Sequence, residues 1–177
     1  MTPIALETAA SYYNASPGTR WFRWALGAAQ HLSPALAERA ATRLFLTPLP
    51  PKWLQRRHPW AAQWKVEHWG FEDASLALYS RPAAPHGPLV LLVHGWGGHA
   101  GQLRELAAAV SARGLRPVLL ELPAHGRSRG ATSNLPQFAR AMDYVVARLH
   151  QQGHAVQAVV AHSLAANALA YAAGRGL

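Results

Sequence analysis

Cysteine is absent from the 177 residues, which excludes a disulfide framework, a thiolate metal site and a cysteine nucleophile. Charge is sparse at 14% of residues while half are apolar, so the composition is that of a folded chain with room for one domain and a real core. No stretch reaches the roughly 18 uninterrupted apolar residues of a membrane span. The opening Met1-Thr2-Pro3-Ile4-Ala5-Leu6-Glu7 lacks the basic start and apolar core of a signal peptide, and a cytoplasmic location is expected. Acidic residues are also few, 8 against 17 Lys and Arg. That excess is spread out: residues 1–60 carry 7 basic and 2 acidic residues, net +5, and the remainder 10 and 6, net +4. The longest basic run is Arg56-Arg57, with no basic helix or aromatic RNA-binding motif beside it, so nucleic acid is not an expected partner.

Residues 1–60 form a helical N-terminal region. Thr8 to Tyr13, Arg20 to Leu32 and Pro34 to Leu46 read as short helices interrupted at Pro17-Gly18 and Ser33-Pro34. Trp21, Trp24, Trp53, Trp60, Trp64 and Trp69 cluster in and just after this region, interleaved with arginines. The expectation is that these rings pack the helices onto the main domain; the alternative is contact with a membrane surface by residues 1–60, or a cap over a pocket.

The second part, residues 61–177, opens with a hairpin. Gln63 to Trp69 alternates apolar and polar residues, and Ser75 to Tyr79 follows after a turn at Gly70 and Asp73. From Leu89 the pattern becomes strand–helix alternation. Leu89-Val90-Leu91-Leu92-Val93 is a continuous apolar run suited to a strand buried on both faces, and His94-Gly95-Trp96-Gly97-Gly98 turns the chain into a helix over 99–114. Val118 to Leu122 and Ala155 to Ala161 are the next strands. Between them a helix begins at Asn134, capped with help from Gln137, and a last helix covers Leu164 to Ala173. Such units in series imply α/β architecture: a mostly parallel sheet with flanking helices.

Three stretches carry chemistry. Ser163 sits between a strand end and a helix start with alanine two residues to either side, Ala161 and Ala165, as a sharp, crowded nucleophile turn requires. The glycine loop 94–98 precedes it, and Glu121-Leu122-Pro123-Ala124-His125-Gly126-Arg127-Ser128 lies between the two. Together they resemble the α/β-hydrolase superfamily of serine hydrolases: its oxyanion loop, its Asp-x-Pro-Gly-His-Gly-x-Ser loop with Glu for Asp and Ala for Gly, and its Gly-x-Ser-x-Gly elbow with alanine for both glycines. The resemblance covers about residues 64–177. It implies Ser163 as nucleophile, backbone N–H groups of Trp96 and Leu164 as oxyanion hole, a small-molecule acyl substrate, and neither metal nor organic cofactor. The serine sets the chain apart from the branches of that superfamily that use an aspartate nucleophile. The plain alternative for Ser163 is an ordinary helix N-cap.

In that superfamily the acid and the histidine follow the serine, and here only one helix follows. The chain is therefore expected to be the N-terminal portion of a hydrolase, inactive by itself, with its last strand left as an apolar edge. His94 is expected to brace the glycine loop, His125 to brace its own loop with a base contact to Ser163 as the alternative, and His162 to pack away from its neighbour. One rival remains at this point. Gly95, Gly97 and Ala100 also fit Gly-x-Gly-x-x-Ala after a strand, with Glu121 ending the next strand as a ribose-binding acid would, in an NAD(P)-binding oxidoreductase. A non-catalytic interaction or membrane-surface module built on a decayed hydrolase is the third possibility.

Overall fold

A computed structural model of the chain describes residues 17–56, 59–81 and 87–176. Two compact units are present, Met1–Phe45 and Leu46–Leu177. The helix expected over Thr8 to Tyr13 lies outside the described residues.

In the first unit, helices α1 (Pro17–Leu32) and α2 (Pro34–Phe45) are separated by Ser33. The Ser33 carbonyl accepts from the amides of Leu36 and Ala37 at 3.1 and 3.0 Å, starting the second helix. Pro34 at the first helical position loses no bond by lacking an N–H. Mostly small residues occupy the less exposed positions: Ala25, Gly27, Ala28 and Ala29 of α1 are partly buried along with Leu26, and Ala37 of α2 is buried.

The second unit holds a five-stranded sheet. After the short helix α3 (Lys52–Gln55) come β1 (Lys65–Phe71), β2 (Ala74–Ser80) and β3 (Leu89–Val93). A 3-10 turn (Ala100–Leu103) leads into α4 (Arg104–Ser111), followed by β4 (Arg116–Glu121), α5 (Leu135–Gln151), β5 (Val156–Ala161) and α6 (Leu164–Ala173). The strand order is β1-β2-β4-β3-β5. β1 with β2 and β2 with β4 are antiparallel, β3 with β4 and β3 with β5 parallel. The hairpin thus adds two antiparallel pairings to the parallel βαβ part.

Alternation along the strands builds a core on each face. Leu89, Leu91, Val93, Val118 and Leu120 meet Phe138, Met142, Val145 and Leu149 of α5 and Ala165, Ala168 and Ala172 of α6. Val90, Leu92, Leu119 and Tyr79 face Ala107 on the other side. All five residues of β3 are buried, as its unbroken apolar run requires. Asn134 caps α5 as its spacing to Gln137 anticipates, its Oδ1 accepting from the Gln137 amide at 2.8 Å. β5 has one neighbour, β3, and forms a sheet edge on which Val160 remains 43% exposed.

Two expectations need correction. Residues 46–60, grouped by composition with the N-terminal helices, fall in the second unit. Specific bonds hold them there. Lys52 Nζ donates to the Ser128 carbonyl at 3.0 Å and also to that of Gly130, and Arg56 Nε donates to the Gly126 carbonyl at 2.9 Å. The tryptophans also divide. Trp60 stacks on Tyr79 with ring centroids 4.0 Å apart and meets Trp64 edge-on, and Trp69 is buried, whereas Trp21, Trp24 and Trp53 are 69%, 70% and 57% exposed.

Candidate active site

The parallel strands β3, β4 and β5 end in the same direction, so the segments after Val93, Glu121 and Ala161 meet at their carboxyl end, where open α/β sheets bind ligands. After Ala161 the chain turns sharply through His162 and Ser163 into α6. The His162 amide is still in the sheet, donating to Val93 O at 3.0 Å. Ser163 then adopts φ 56°, ψ −128°, a region that residues with a Cβ rarely enter. It is exposed, and its side chain makes no capping hydrogen bond to α6. An N-cap serine has extended backbone and accepts from an amide of the first turn; Ser163 does neither.

The glycine loop comes up against this turn. A Cβ on Gly95 would lie 2.8 Å from the Ser163 Cβ and 3.1 Å from the His162 carbonyl oxygen, so only glycine lets the end of β3 approach the serine this closely. Gly97 has φ 68°, and a Cβ there would strike the Leu49 carbonyl. Trp96 lies between them, its ring edge-on to His125 at 5.5 Å and tilted against Phe138 at 5.8 Å. Among the described residues, the amides of Trp96 and Leu164 donate to no protein acceptor, whereas Ala165 and Ala166 already bond His162 O and Ser163 O at 3.2 and 2.8 Å.

The histidines near this turn are otherwise engaged. His94 Nδ1 lies 2.7 Å from Gly95 O, and its Nε2 accepts from the Leu122 amide at 3.2 Å. His125 Nδ1 lies 2.8 Å from Pro123 O, and its Nε2 accepts from the Gly97 amide at 3.0 Å. A carbonyl partner on one nitrogen and an amide on the other fix both rings in the neutral Nδ1–H form. Burial, with a lesser contribution from neighbouring positive charge, depresses both pKa values, His94 to about 3 and His125 to about 4. Neither Nε2 is open to accept a serine proton. His162 is not packed away as expected: it is exposed and its Nδ1 lies 3.2 Å from where a Gly95 Cβ would be.

Glu121, at the end of β4, is enclosed. Its Oε2 accepts from Tyr79 Oη at 2.8 Å and from the Arg127 amide at 2.5 Å, and its Oε1 from the Ala100 amide at 3.3 Å. Burial pushes its pKa up, against the pull of these donors. Ser128 completes the arrangement: its Oγ donates to Glu121 O at 2.6 Å and accepts from the Ala77 amide at 2.8 Å. The loop closes over the carboxylate because Gly126 has φ 45° and no Cβ, which would lie 2.2 Å from the carboxyl carbon. Ala124, where the resembled pattern has glycine, takes φ 66°. A carboxylate bound on every side cannot reach a ribose, which withdraws Glu121 from the role that the dinucleotide reading gives it. Sequence reasoning missed Tyr79, Lys52 and Arg56 in this arrangement; they lie 42 or more positions away from their partners, and no local pattern connects them. No cluster of three or more His, Cys, Asp or Glu suited to a metal ion occurs among the described residues.

A family model described as "Alpha/beta hydrolase family" matches residues 90–176. This segment belongs to the α/β hydrolase family. Solved structures of α/β hydrolases also superimpose on the chain. The esterase Est1E of Butyrivibrio proteoclasticus, solved with ferulic acid, gives a TM-score of 0.56 at 18% identity, over 62% of this chain and 47% of that one. The thioesterase domain of the curacin biosynthetic pathway gives 0.52 at 23%, over 63% and 40%. An epoxide hydrolase from Vigna radiata gives 0.51 at 21%, over 64% and 37%. At these identities the likeness is one of fold, and the chain spans less than half the length of each of the three. No curated protein matches the chain.

Proposed function

We propose that the chain carries the nucleophile side of a serine hydrolase acting on carboxylic ester-type bonds. In this reading Ser163 Oγ attacks the carbonyl carbon, the bond to the leaving alcohol breaks, and water then hydrolyses the acyl-serine. The amides of Trp96 and Leu164 receive the developing oxyanion, and two such donors contribute on the order of several kcal/mol to the transition state. The observation that carries the proposal is the backbone of Ser163: an exposed hydroxyl on a non-glycine residue at φ 56°, with Gly95 pressed against its Cβ. The serine also favours acyl transfer over chemistry that begins from a carboxylate nucleophile. We place the protein in the cytoplasm as part of the same reading; among the described residues no helix is long and apolar enough to cross a membrane.

Activation of the serine is the missing part. His94 and His125 are committed to backbone partners, and no described histidine bonds Ser163. A serine without its base loses nearly all of a triad's rate, so the 177 residues alone are proposed to be close to inactive. Incubation with a fluorophosphonate probe, followed by intact and peptide mass, tests both statements. Slow labelling confined to Ser163, accelerated by added imidazole and abolished in Ser163→Ala, is the expected result. Labelling elsewhere would overturn the nucleophile assignment, and rapid stoichiometric labelling would overturn the inactivity.

A further inference from the structure

Apart from Leu26, which is partly buried, the large apolar residues described in the first unit are exposed. Along α1, Trp21, Trp24 and Leu32 fall within one stripe at helical spacing, with Arg23 and Gln30 on the opposite side. These three are 69%, 70% and 87% exposed. On α2 the large residues Leu36, Leu44 and Phe45 are likewise exposed, while the buried position belongs to Ala37. A monomer in water seldom leaves such a stripe uncovered.

We infer that this helical hairpin binds the surface of an anionic phospholipid bilayer. Three observations favour a bilayer over a protein partner. Tryptophan, amphipathic and rigid, is the residue suited to the headgroup boundary, and two stand one turn apart on α1. Residues 17–45 carry Arg20, Arg23, Arg39 and Arg43 against the single acid Glu38, a net of +3 with histidine neutral, which complements an anionic headgroup layer. Arginine next to an apolar stripe keeps its charge at the water boundary while its stem covers apolar surface. α1 is 16 residues long, too short to cross a bilayer and long enough to lie along it for about 24 Å. This inference is independent of the serine chemistry.

The experiment uses the full chain and vesicles of ether-linked phosphatidylcholine with or without ether-linked phosphatidylglycerol, so that an esterase activity cannot alter the membrane. Flotation should show binding that requires phosphatidylglycerol and weakens as salt is raised. Trp21→Ser/Trp24→Ser and Arg20→Glu/Arg39→Glu should each reduce partitioning by about tenfold or more, and Arg113→Glu in the second unit should leave it unchanged. Trp21→Phe/Trp24→Phe, which preserves the apolar stripe, should still bind but lose most of the fluorescence quenching produced by brominated lipid. Binding that ignores phosphatidylglycerol and salt, or that survives both double substitutions, would overturn the proposal. So would an absence of vesicle binding with self-association that disappears in Trp21→Ser/Trp24→Ser, which would assign the stripe to a second copy.

Discussion

Two polar regions lie at the same end of the sheet and are opposites. Around Glu121, every group is buried and bonded: the carboxylate has three donors, Ser128 has two partners, and His94 and His125 each use both ring nitrogens. Around Ser163, the residue is exposed and its backbone strained, and the Trp96 and Leu164 amides have no protein acceptor among the described residues. A polar group left without a partner is tolerated where water or a ligand can reach it and is destabilising where neither can. The first region therefore reads as the support that holds the loops, and the second is the one to which the proposed function assigns the reacting group.

The sharpest way to break this contrast is to remove the centre of the buried region. Glu121→Ala strands the Tyr79 hydroxyl and two amides, and at about 1–3 kcal/mol for each unsatisfied buried donor it should destabilise the second unit by about 4 kcal/mol in urea unfolding. Ser163→Ala should change stability by less than about 0.5 kcal/mol. A comparable loss in both would erase the distinction.

Acid offers the next largest effect. The folded His94 and His125 hold their protons only near pH 3 and 4, against an ordinary value of 6.5. Between these values the unfolded chain binds more protons, so stability is full above about pH 6.5 and declines as pH falls towards 4 and then 3. Glu121, whose pKa is raised, contributes in the opposite sense, favouring the fold at low pH and losing that contribution as pH rises through its folded value. Urea midpoints from pH 7 to 4 should fall, by an amount that shrinks in His125→Gln. A flat profile would mean that these rings are not buried neutral.

Backbone strain gives smaller effects of the opposite direction. Ser163→Gly should stabilise by about 1 kcal/mol, because glycine enters positive φ without the Cβ conflict, while abolishing probe labelling. Ala124→Gly, at φ 66° within the bonded loop, should raise stability by about 0.5 kcal/mol, the relief of the left-handed conformation less the extra chain entropy of glycine. If Ser163→Gly destabilised the protein, its backbone would not be under strain and the elbow reading would lose its support.

Much of this was legible in the chain. The apolar run 89–93, the hairpin of 63–80, the Asn134 cap and the turn at Ser163 are local patterns with local causes, and each has its element in the structure. The bracing expected of His94 came with the resemblance of its loop, and its ring bonds Gly95 O and the Leu122 amide. The boundary near residue 60 did not survive, since Lys52, Arg56 and Trp60 are held by partners 19 to 78 positions away. The fate of the tryptophans was equally hidden, because a ring's spacing does not say whether a sheet lies beneath it.

What the sequence determined alone is therefore whatever depends on periodicity and turn chemistry: the strands, the helices, the order of glycine loop, carboxylate loop and elbow. Only the tertiary structure decided which polar groups are consumed internally and which are left open, because that depends on donors and acceptors brought together from distant segments in a medium where each unpaired one is destabilising. Glu121 and Ser163 both follow a strand end in the chain. Their burial, 3% exposure for one and an open hydroxyl for the other, is what separates a supporting residue from the proposed nucleophile.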